Sequence, residues 1–253
     1  MNRITRLLGR SGLALLLLVV GMGTAAAKGE RIVVYGATGA IGGLIAQEAL
    51  NRGDTVIGVA RDPAKLEVSN PNYHAVAGDV TDVASFRRIT RGADAVIISV
   101  LGDAKDNSPE HSVSARAAKT AVAAYTGEAH SPHVIQIGGA PTMYGTREAM
   151  QAHMHMPASS PMYATIMGHL VALQTYQASH IRWTVLTPPM DIQGWKLHAP
   201  PQPHRTGKYR VATKDFVRTA GGQNEINIAD LAVAAVDEAE HPHFVGQRFT
   251  VGY

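Results

Sequence analysis

A glycine-rich turn between a β-branched run and an apolar helical pattern constrains the fold more than any other feature of this sequence. The run Arg31–Tyr35 reads Arg-Ile-Val-Val-Tyr, and the helical pattern begins at Ile41. Between them, Gly36, Gly39 and Gly42 have the spacing G-x-x-G-x-x-G. Glycines at these positions allow a tight turn, close approach of backbone to a pyrophosphate, and close packing of helix on strand. The turn therefore predicts a dinucleotide whose phosphates bind at a helix N-terminus.

We expect these phosphates to lie against the backbone of the whole turn. Free N–H groups and the helix dipole favour negative charge at such a helix N-terminus. A tight turn without a ligand is the alternative interpretation. The predicted contact residues are Gly36, Ala37, Thr38, Gly39, Ala40, Ile41 and Gly42.

Strand-like and helix-like runs alternate from residue 31 onwards. Strands that alternate with helices predict a parallel sheet covered on both faces. The sequence therefore predicts an α/β fold, a single Rossmann-like doubly wound parallel sheet with a small C-terminal region of loop, helix and strand. The predicted strands are 31–35, 55–60, 73–77, 95–100, 133–137, 183–186 and 248–251, and the predicted helices are 41–51, 83–91, 108–126, 161–179 and 228–240.

Two stretches interrupt this alternation and are predicted to be long loops. Residues 140–160 are rich in Met, His, Pro and Ser, and residues 188–225 contain five prolines. Long loops in compact domains are usually functional or ordered by a ligand. Because both follow predicted strands, we expect them at the carboxyl edge of the sheet, where open α/β folds bind ligands.

The N-terminal residues have the composition of an export signal. Arginines precede a short apolar run and small residues follow it, which predicts a signal peptide over 1–27 and one folded domain over 28–253. Spanning a bilayer takes about 20 apolar residues, so we expect no stable membrane span after cleavage. We predict export to the periplasm, with an uncleaved N-terminal membrane anchor as the alternative. The features are Arg3, Arg6, Arg10, the apolar run 13–20 and the small residues 25–27.

The net charge of +3 belongs to this leader. Its three arginines are its only charged residues, so the rest of the chain has 20 basic residues against 20 acidic ones. That balance gives no basic patch for nucleic acid, and we expect a small-molecule substrate instead. The chain has no cysteine, which excludes a disulfide framework.

The end of the second strand distinguishes NADP from NAD. An acid there would accept a hydrogen bond from the ribose 2′-OH of NAD, whereas an arginine accommodates the 2′-phosphate of NADP. Arg61 comes first, and its guanidinium suits both a phosphate and the face of an adenine. Asp62 precedes Pro63 and could instead cap a short helix. This order favours NADP, with NAD as the alternative cofactor.

Asp79 and Val80 follow the third strand, on the adenine side of the predicted cleft. The Asp79 carboxylate could accept a hydrogen bond from the adenine amino group, and Val80 could pack on the ring. Alternatively, Asp79 caps the helix that begins at Val83, a role that Thr81 or Asp82 could fill equally well.

Two further pairs follow the fourth and fifth strands. Leu101-Gly102 comes after the fourth strand, and Gly138-Gly139 comes after the fifth. Glycine lets backbone approach a ligand closely. We therefore expect both pairs to contact the ribose and nicotinamide half of the cofactor.

Several motifs together resemble a known family. The segments "VYGATGAIGGLIAQEAL", "VARDPAKL", "GDVTD", "AVIISVLG" and "VIQIGGA" are similar to those of atypical short-chain dehydrogenases/reductases. Within that group, "IGGA", "WTVLTPP", "RTGKYR" and "RFTVGY" resemble the NADH-flavin reductase-like, NmrA-like branch. The resemblance covers residues 31–253. It implies an NAD(P)-binding Rossmann fold and hydride transfer to a flavin- or quinone-type acceptor, with flavin as substrate.

The chain departs from the Ser, Tyr-x-x-x-Lys set that typical short-chain dehydrogenases use. In that set the lysine and the cofactor lower the pKa of the tyrosine, which then exchanges a proton with substrate. Here Gly138 or Gly139 stands at the serine position, and Tyr163 is followed four residues later by Met167. His169 lies about 120° from Tyr163 around a helix, so the two share no face. Alcohol dehydrogenation by the usual set is therefore disfavoured.

Flavin reduction remains compatible with this departure, because it requires mainly that the protein orient the two ring systems. Tyr163 is the one candidate for direct contact with the substrate, and ordinary packing is its alternative role. A non-catalytic NAD(P)-binding sensor would also lack the set. An isomerase that keeps its cofactor tightly bound is a third interpretation.

The run His153-Met154-His155-Met156 raises the question of a metal site. Alternating His and Met suits soft or borderline metals. No further ligand set at a familiar spacing accompanies the run. We therefore expect a surface or substrate-covering loop and no metal.

Overall fold

A computed structural model describes residues 29–102, 106–160, 162–196 and 199–253. The predicted signal peptide lies outside these ranges. No helix within them is long and apolar enough to cross a membrane. The strands are β1 (Arg31–Tyr35), β2 (Thr55–Ala60), β3 (Tyr73–Ala77), β4 (Ala95–Ile98), β5 (His133–Ile137), β6 (Trp183–Thr187), β7 (Asp191–Gln193), β8 (Arg210–Ala212), β9 (Glu225–Asn227) and β10 (Gln247–Gly252). The α-helices are α1 (Ala40–Arg52), α2 (Val83–Ile89), α3 (Val113–Tyr125), α4 (Pro141–Tyr144), α5 (Arg147–Met154), α6 (Tyr163–Gln177) and α7 (Ile228–Glu240).

The main sheet has the strand order β3-β2-β1-β4-β5-β6-β10-β8. Every neighbouring pair in it is parallel except β10 and β8, which are antiparallel. The strands β7 and β9 form a separate parallel pair. The chain thus winds outwards from β1 in both directions, which confirms the predicted doubly wound α/β fold.

Alternate side chains of the central strands enter two cores, one on each face of the sheet. In β1, Ile32 and Val34 belong to the core beneath α1 and α7. Val33 and Tyr35 belong to the core that α2, α3 and α6 cover. Because both faces are buried, the strand reads as a continuous apolar run rather than an alternating one.

Two predicted loops contain regular structure. Residues 140–160 form α4 and α5, and α5 begins where Thr146 Oγ1 accepts a hydrogen bond from the Ala149 N–H at 3.1 Å. Residues 188–225 include β7, β8 and the start of β9. The prediction of long loops was therefore wrong in these parts. Strands of three residues and a helix of four are too short for periodicity to reveal.

The predicted helix over 108–126 has a break near its start. A single 3₁₀ turn, Pro109–His111, precedes α3, and Ser112 separates the two. The Ser112 hydroxyl accepts a hydrogen bond from the Ala115 N–H at 3.2 Å and so caps α3. α3 therefore starts at Val113, whose N–H donates to the Gly102 carbonyl at 3.4 Å, at the carboxyl edge of the sheet.

Candidate functional site

The turn after β1 requires glycine at two of its three predicted positions. Gly36 has φ of +80°, and a Cβ there would lie 2.0 Å from the carbonyl oxygen of Ser99. A Cβ on Gly42 would lie 2.2 Å from the carbonyl oxygen of Gly36. Gly39 is less constrained, because its φ is −82° and its Cβ would be 3.2 Å from the same oxygen. Strand, turn and helix are therefore packed as closely as the sequence predicts.

The N-terminus of α1 is left open by this turn. Gly39 is the N-cap, and within the described ranges no side chain caps the helix and no acidic residue lies in its first turn. The N–H of Gly39 is used within the turn, donating to the Gly36 carbonyl at 2.9 Å. The dipole of this 13-residue helix and its uncapped N–H groups together favour an anion at the N-terminus of α1.

The position of the turn in the sheet also fits a dinucleotide. The strand β1 pairs with β2 on one side and with β4 on the other, so the chain reverses its winding direction here. Open α/β sheets bind ligands at such a switch point, outside the carboxyl ends of the strands. The glycine cradle, the open helix end and the switch point coincide, and they fit the diphosphate of a nicotinamide dinucleotide.

Arg61 and Asp62 have different surroundings after β2. The Asp62 carboxylate accepts a hydrogen bond from the Ala64 N–H at 3.2 Å, which caps the 3₁₀ turn Pro63–Lys65. Lys65 lies 3.9 Å from the same carboxylate. Arg61 is exposed and makes no hydrogen bond or ion pair with any residue that the structure describes. Asp62 therefore has the capping role that was the alternative for it, and Arg61 stays available for a ligand.

Asp79 does not cap α2, because Asp82 does so through the N–H groups of Ala84 and Ser85. The Asp79 Oδ1 instead accepts hydrogen bonds from the N–H and the hydroxyl of Thr81, both at 2.8 Å. These bonds, with Arg116 and Arg61 nearby, lower the pKa of Asp79. Oδ2 of Asp79 has no hydrogen-bond partner among the described residues.

Val80 is less suited to a ligand contact than its neighbour. Its side chain is buried in the core beneath α2 and α3, which leaves little of it for the adenine ring.

Arg116 is a candidate site residue that was not predicted from the sequence. It extends from the first turn of α3 and donates to the Thr81 hydroxyl at 2.9 Å. Arg61 and Arg116 therefore place two guanidinium groups on the adenine side, around Asp79.

Leu101 and Gly102 lie beyond the end of β4, next to the start of α3. The side chain of Leu101 is 50% exposed. A Cβ on Gly102 would lie 2.7 Å from Cγ2 of Val113. The glycine is required by packing against α3, and Leu101 remains at the surface of the carboxyl edge.

Gly138 and Gly139 differ in what they contact. Gly138 is buried, donates to the Leu186 carbonyl at 2.8 Å, and would bring a Cβ within 2.8 Å of Val185. Gly139 is half-buried, and a Cβ there would lie 2.8 Å from Cδ2 of His169. Gly138 thus serves the packing of β5 on β6, whereas Gly139 and the imidazole behind it reach the edge of the cleft.

Tyr163 is a packing residue in this structure. It is 5% exposed and lies in a side cluster with Met150, Met167 and Leu170. Its hydroxyl accepts a hydrogen bond from Gln151 at 3.4 Å. These contacts correspond to the packing alternative, because α5, which the sequence did not predict, covers the ring that was expected to face the cleft.

The metal question concerns only part of the run 153–156. The side chains of His153 and Met154 lie outside the described part of the chain. Among the side chains that the structure does describe, no group of three His, Cys, Asp or Glu residues is placed to hold a metal ion. His155 ends α5 in the left-handed conformation, with φ of 48°.

A cavity of about 880 Å³ lies away from the glycine turn, at the amino edge of the sheet. Its lining includes Asp94, His133 and Arg182, which stand at the starts of β4, β5 and β6. Ligands of open α/β sheets bind at the other edge. The cavity is therefore separate from the candidate site.

The fold and the turn together define a dinucleotide-binding protein of the Rossmann class. The NAD(P)H-binding family model matches residues 36–242, from the first glycine of the turn to beyond α7. The chain belongs to this family, within the atypical short-chain dehydrogenases/reductases, and a nicotinamide cofactor follows from that membership.

Known proteins resemble the chain along most of its length. The uncharacterized protein YwnB of Bacillus subtilis (strain 168) is 28% identical over 225 residues, which cover 87% of this chain and 97% of that protein. A structure from Burkholderia pseudomallei, provisionally described as an exported protein, is 27% identical with a TM-score of 0.69, covering 88% of this chain and all of the other.

Two further structures have a TM-score of 0.71. One, from Bacteroides thetaiotaomicron, is provisionally described as an epimerase; it is 26% identical and covers 89% of this chain and 98% of that one. The other, from Streptococcus pneumoniae TIGR4, is provisionally described as an NADH-flavin reductase. It is 21% identical and covers 88% of this chain and 99% of that one, so this likeness shows the fold alone.

Proposed function

We propose that this protein is an NAD(P)H-dependent reductase that passes hydride to a flat conjugated acceptor of the flavin or quinone type. One observation carries the proposal: two large apolar side chains stand exposed at the carboxyl edge, on either side of Gly139. Leu101 follows β4 and is 50% exposed, and Met190 follows β6 and is 53% exposed. The strands β4 and β6 flank β5 in the sheet, and β5 leads into Gly139.

This arrangement suits a planar aromatic substrate. Exposed apolar side chains at a cleft are stabilised when a ligand covers them, at about 25 cal/mol for each Å² removed from water. A flat ring over Gly139 would meet Leu101 on one side and Met190 on the other. Thioether and branched alkyl groups both pack well on aromatic faces.

The missing Tyr-x-x-x-Lys set agrees with this substrate class. An alcohol substrate needs a side chain that exchanges a proton with its oxygen, and Tyr163 is enclosed by α5 and its cluster. When bound, NAD(P)H supplies the hydride, and this chain supplies the cradle that holds the diphosphate and the walls that orient the acceptor. Orientation is the main protein contribution that such a transfer needs.

We propose NADP as the preferred cofactor because Arg61 makes no hydrogen bond or ion pair with a described residue, whereas Asp62 caps the 3₁₀ turn. The second guanidinium, Arg116, adds positive charge on the same side. Arginine binds phosphate through paired N–H groups, which no carboxylate of the site can do. NAD remains the alternative if the ribose 2′-OH is bound through Asp79.

The test is NADPH oxidation by the purified protein with FMN, riboflavin and menadione under anaerobic conditions. We expect turnover, and we expect Leu101→Ser and Met190→Ser to lower kcat/KM for the acceptor while NADPH affinity is unchanged. Val245→Ser is the matched control, because Val245 is exposed at the amino edge, before β10. Tight NADPH binding without turnover on any acceptor would contradict the reductase and favour the non-catalytic sensor.

We propose further that the protein is exported. The leader-like composition of residues 1–27 supports this, as does the similarity to the Burkholderia pseudomallei structure provisionally described as an exported protein. Cell fractionation combined with N-terminal sequencing tests it. Recovery in the periplasm with a new N-terminus near residue 28 is expected, whereas an intact N-terminus in the membrane fraction would favour the anchor.

A further inference from the structure

His169 is a buried histidine without a hydrogen-bond partner among the residues that the structure describes. It lies in the middle of α6 and is 8% exposed, so more than nine-tenths of it is enclosed. Its Nδ1 is fully buried and unpaired, and no described residue hydrogen-bonds to Nε2. Buried polar side chains are nearly always hydrogen-bonded, so an imidazole with neither nitrogen paired to a described residue calls for a physical reason.

The ring lies at the candidate site. A Cβ on Gly139 would be 2.8 Å from Cδ2 of His169 and 3.4 Å from its Nε2. Gly139 follows β5 at the carboxyl edge, between the strands that lead to Leu101 and Met190. Any side chain at position 139 would meet the imidazole. The glycine therefore leaves the Cδ2–Nε2 side of the ring uncovered towards the cleft.

The surroundings of His169 also indicate where its proton lies. Burial lowers the pKa of His169 to about 4, so the imidazole is neutral at neutral pH and carries one N–H. An N–H on the enclosed Nδ1 would be a buried donor without an acceptor, which costs free energy. Nε2, unlike Nδ1, is not one of the fully buried and unpaired atoms of the described residues. A proton on Nε2 presents the donor to the cleft and leaves only a lone pair buried.

We propose that Nε2–H of His169 donates a hydrogen bond to a carbonyl oxygen of the ligand bound over Gly139, and that this ligand is the conjugated carbonyl acceptor. The inference rests on the proposed function for the identity of that ligand. The carboxamide of the nicotinamide ring also has a carbonyl oxygen, so the cofactor is the second ligand that could accept this hydrogen bond. In either case His169 is a binding residue that fixes the angle of a ring, and no proton needs to leave it.

The first experiment is kinetic. His169→Phe keeps a planar ring and removes the donor, and His169→Gln keeps an N–H donor on a flexible side chain. With menadione or riboflavin as acceptor, we expect His169→Phe to raise the acceptor KM about tenfold, with the Kd for NADPH unchanged. His169→Gln should recover part of that loss. If His169 had a purely structural role, both variants would instead lose thermal stability, and the acceptor KM and the Kd for NADPH would change to a similar extent.

The second experiment needs no turnover and uses the wild-type protein. Side-chain ¹⁵N spectra of histidine, assigned with His169→Gln, should show the Nε2–H tautomer at position 169. Addition of riboflavin in the presence of NADP⁺ should shift its Nε2 resonance. A shift with NADP⁺ alone, together with weaker NADPH binding by His169→Phe, would support the donor and assign the carbonyl to the cofactor.

Two outcomes separate this inference from the proposed function. Absence of turnover on every acceptor, with a ligand-dependent shift at His169, would contradict the reductase and support the hydrogen bond. Turnover with unchanged KM in His169→Phe, and no shift on adding either ligand, would overturn the role of His169 and leave the reductase intact.

Discussion

Arg205 forms a bidentate ion pair with Glu48, a residue 157 positions earlier in the chain. Nε and Nη2 of Arg205 donate to the two carboxylate oxygens at 2.9 and 2.8 Å, and Glu48 is buried in α1. Arg52 donates to the same carboxylate at 2.9 Å. The segment that leads to β8 is thereby joined to the helix whose N-terminus forms the candidate phosphate site.

A second anchor lies next to this ion pair. The buried carboxylate of Asp230, in α7, accepts hydrogen bonds from the N–H groups of Thr206 and Gly207 and from the hydroxyl of Tyr253. Burial raises the pKa of Asp230, but these hydrogen bonds outweigh it and hold the pKa below its usual value. The motif "RTGKYR", residues 205–210, therefore forms a clamp that joins α1 to α7 through Glu48 and Asp230, and it is not part of the cleft.

We predict that Arg205→Ala lowers the free energy of unfolding by about 1 kcal/mol, measured by urea denaturation at pH 7. Arg205 is largely exposed, so the loss is modest, and Arg52 still compensates Glu48. Arg205 holds the pKa of Glu48 below its usual value, so the difference from wild type should shrink as the pH falls and Glu48 is protonated. Lys208→Ala is the control in the same exposed segment. Equal effects of the two substitutions would argue against the clamp.

We predict that Gly42→Ala abolishes NADPH binding and destabilises the protein by about 2 kcal/mol or more, because its Cβ would lie 2.2 Å from the Gly36 carbonyl. Gly43→Ala is the matched control one residue later. There the Cβ would lie 3.3 Å from the Ala37 carbonyl, and alanine favours helix, so we expect a small change of either sign. Fluorescence titration with NADPH and thermal unfolding measure both effects. Unchanged binding by Gly42→Ala would contradict the close approach.

We expect Asp54 to lower the free energy of unfolding as the pH rises towards neutrality. Its carboxylate accepts from the Glu30 N–H at 2.9 Å but is buried, and this burial, with Glu240 nearby, raises its pKa to about 6. Because the folded-state pKa lies above the unfolded value, the contribution of Asp54 is full below about pH 4 and is lost as the pH rises through 6.

We therefore predict that Asp54→Asn keeps the hydrogen bond to the Glu30 N–H and gains on the order of 2 kcal/mol relative to wild type between pH 4 and pH 7. Urea unfolding at a series of pH values measures this gain. Glu67→Gln, at an exposed carboxylate, serves as the control. Parallel curves for wild type and Asp54→Asn would contradict the raised pKa.

The sequence was sufficient for the elements that repeat one strong pattern. The bounds of β1, β2, β3, β5 and α7 agree with the predicted ranges, because each is a mostly apolar run bounded by turn or capping residues. Predictions failed where the elements are short, as in α4, β7 and β8. Such segments gain their structure from tertiary contacts, which no local pattern encodes.

The candidate site divides in the same way. Gly36 and Gly42 were predictable because backbone geometry dictates glycine there. His169 and Arg116 were not, because their roles depend on which strand end or loop a helix side chain reaches. Tyr163 was placed in the cleft by its position in a helix, and only the unpredicted α5 shows what covers it.

We propose that this chain binds a nicotinamide dinucleotide on the open end of α1, with Arg61 at the 2′-phosphate. The most direct measurement is a titration of wild type, Arg61→Ala and Arg91→Ala with NADPH and NADH, where Arg91 is an exposed arginine beyond the end of α2. We predict that wild type and Arg91→Ala prefer NADPH, and that Arg61→Ala loses about tenfold in NADPH affinity while its NADH affinity is unchanged. Equal loss of both affinities would contradict the role of Arg61, and no saturable binding of either nucleotide to wild type would contradict a dinucleotide site at α1.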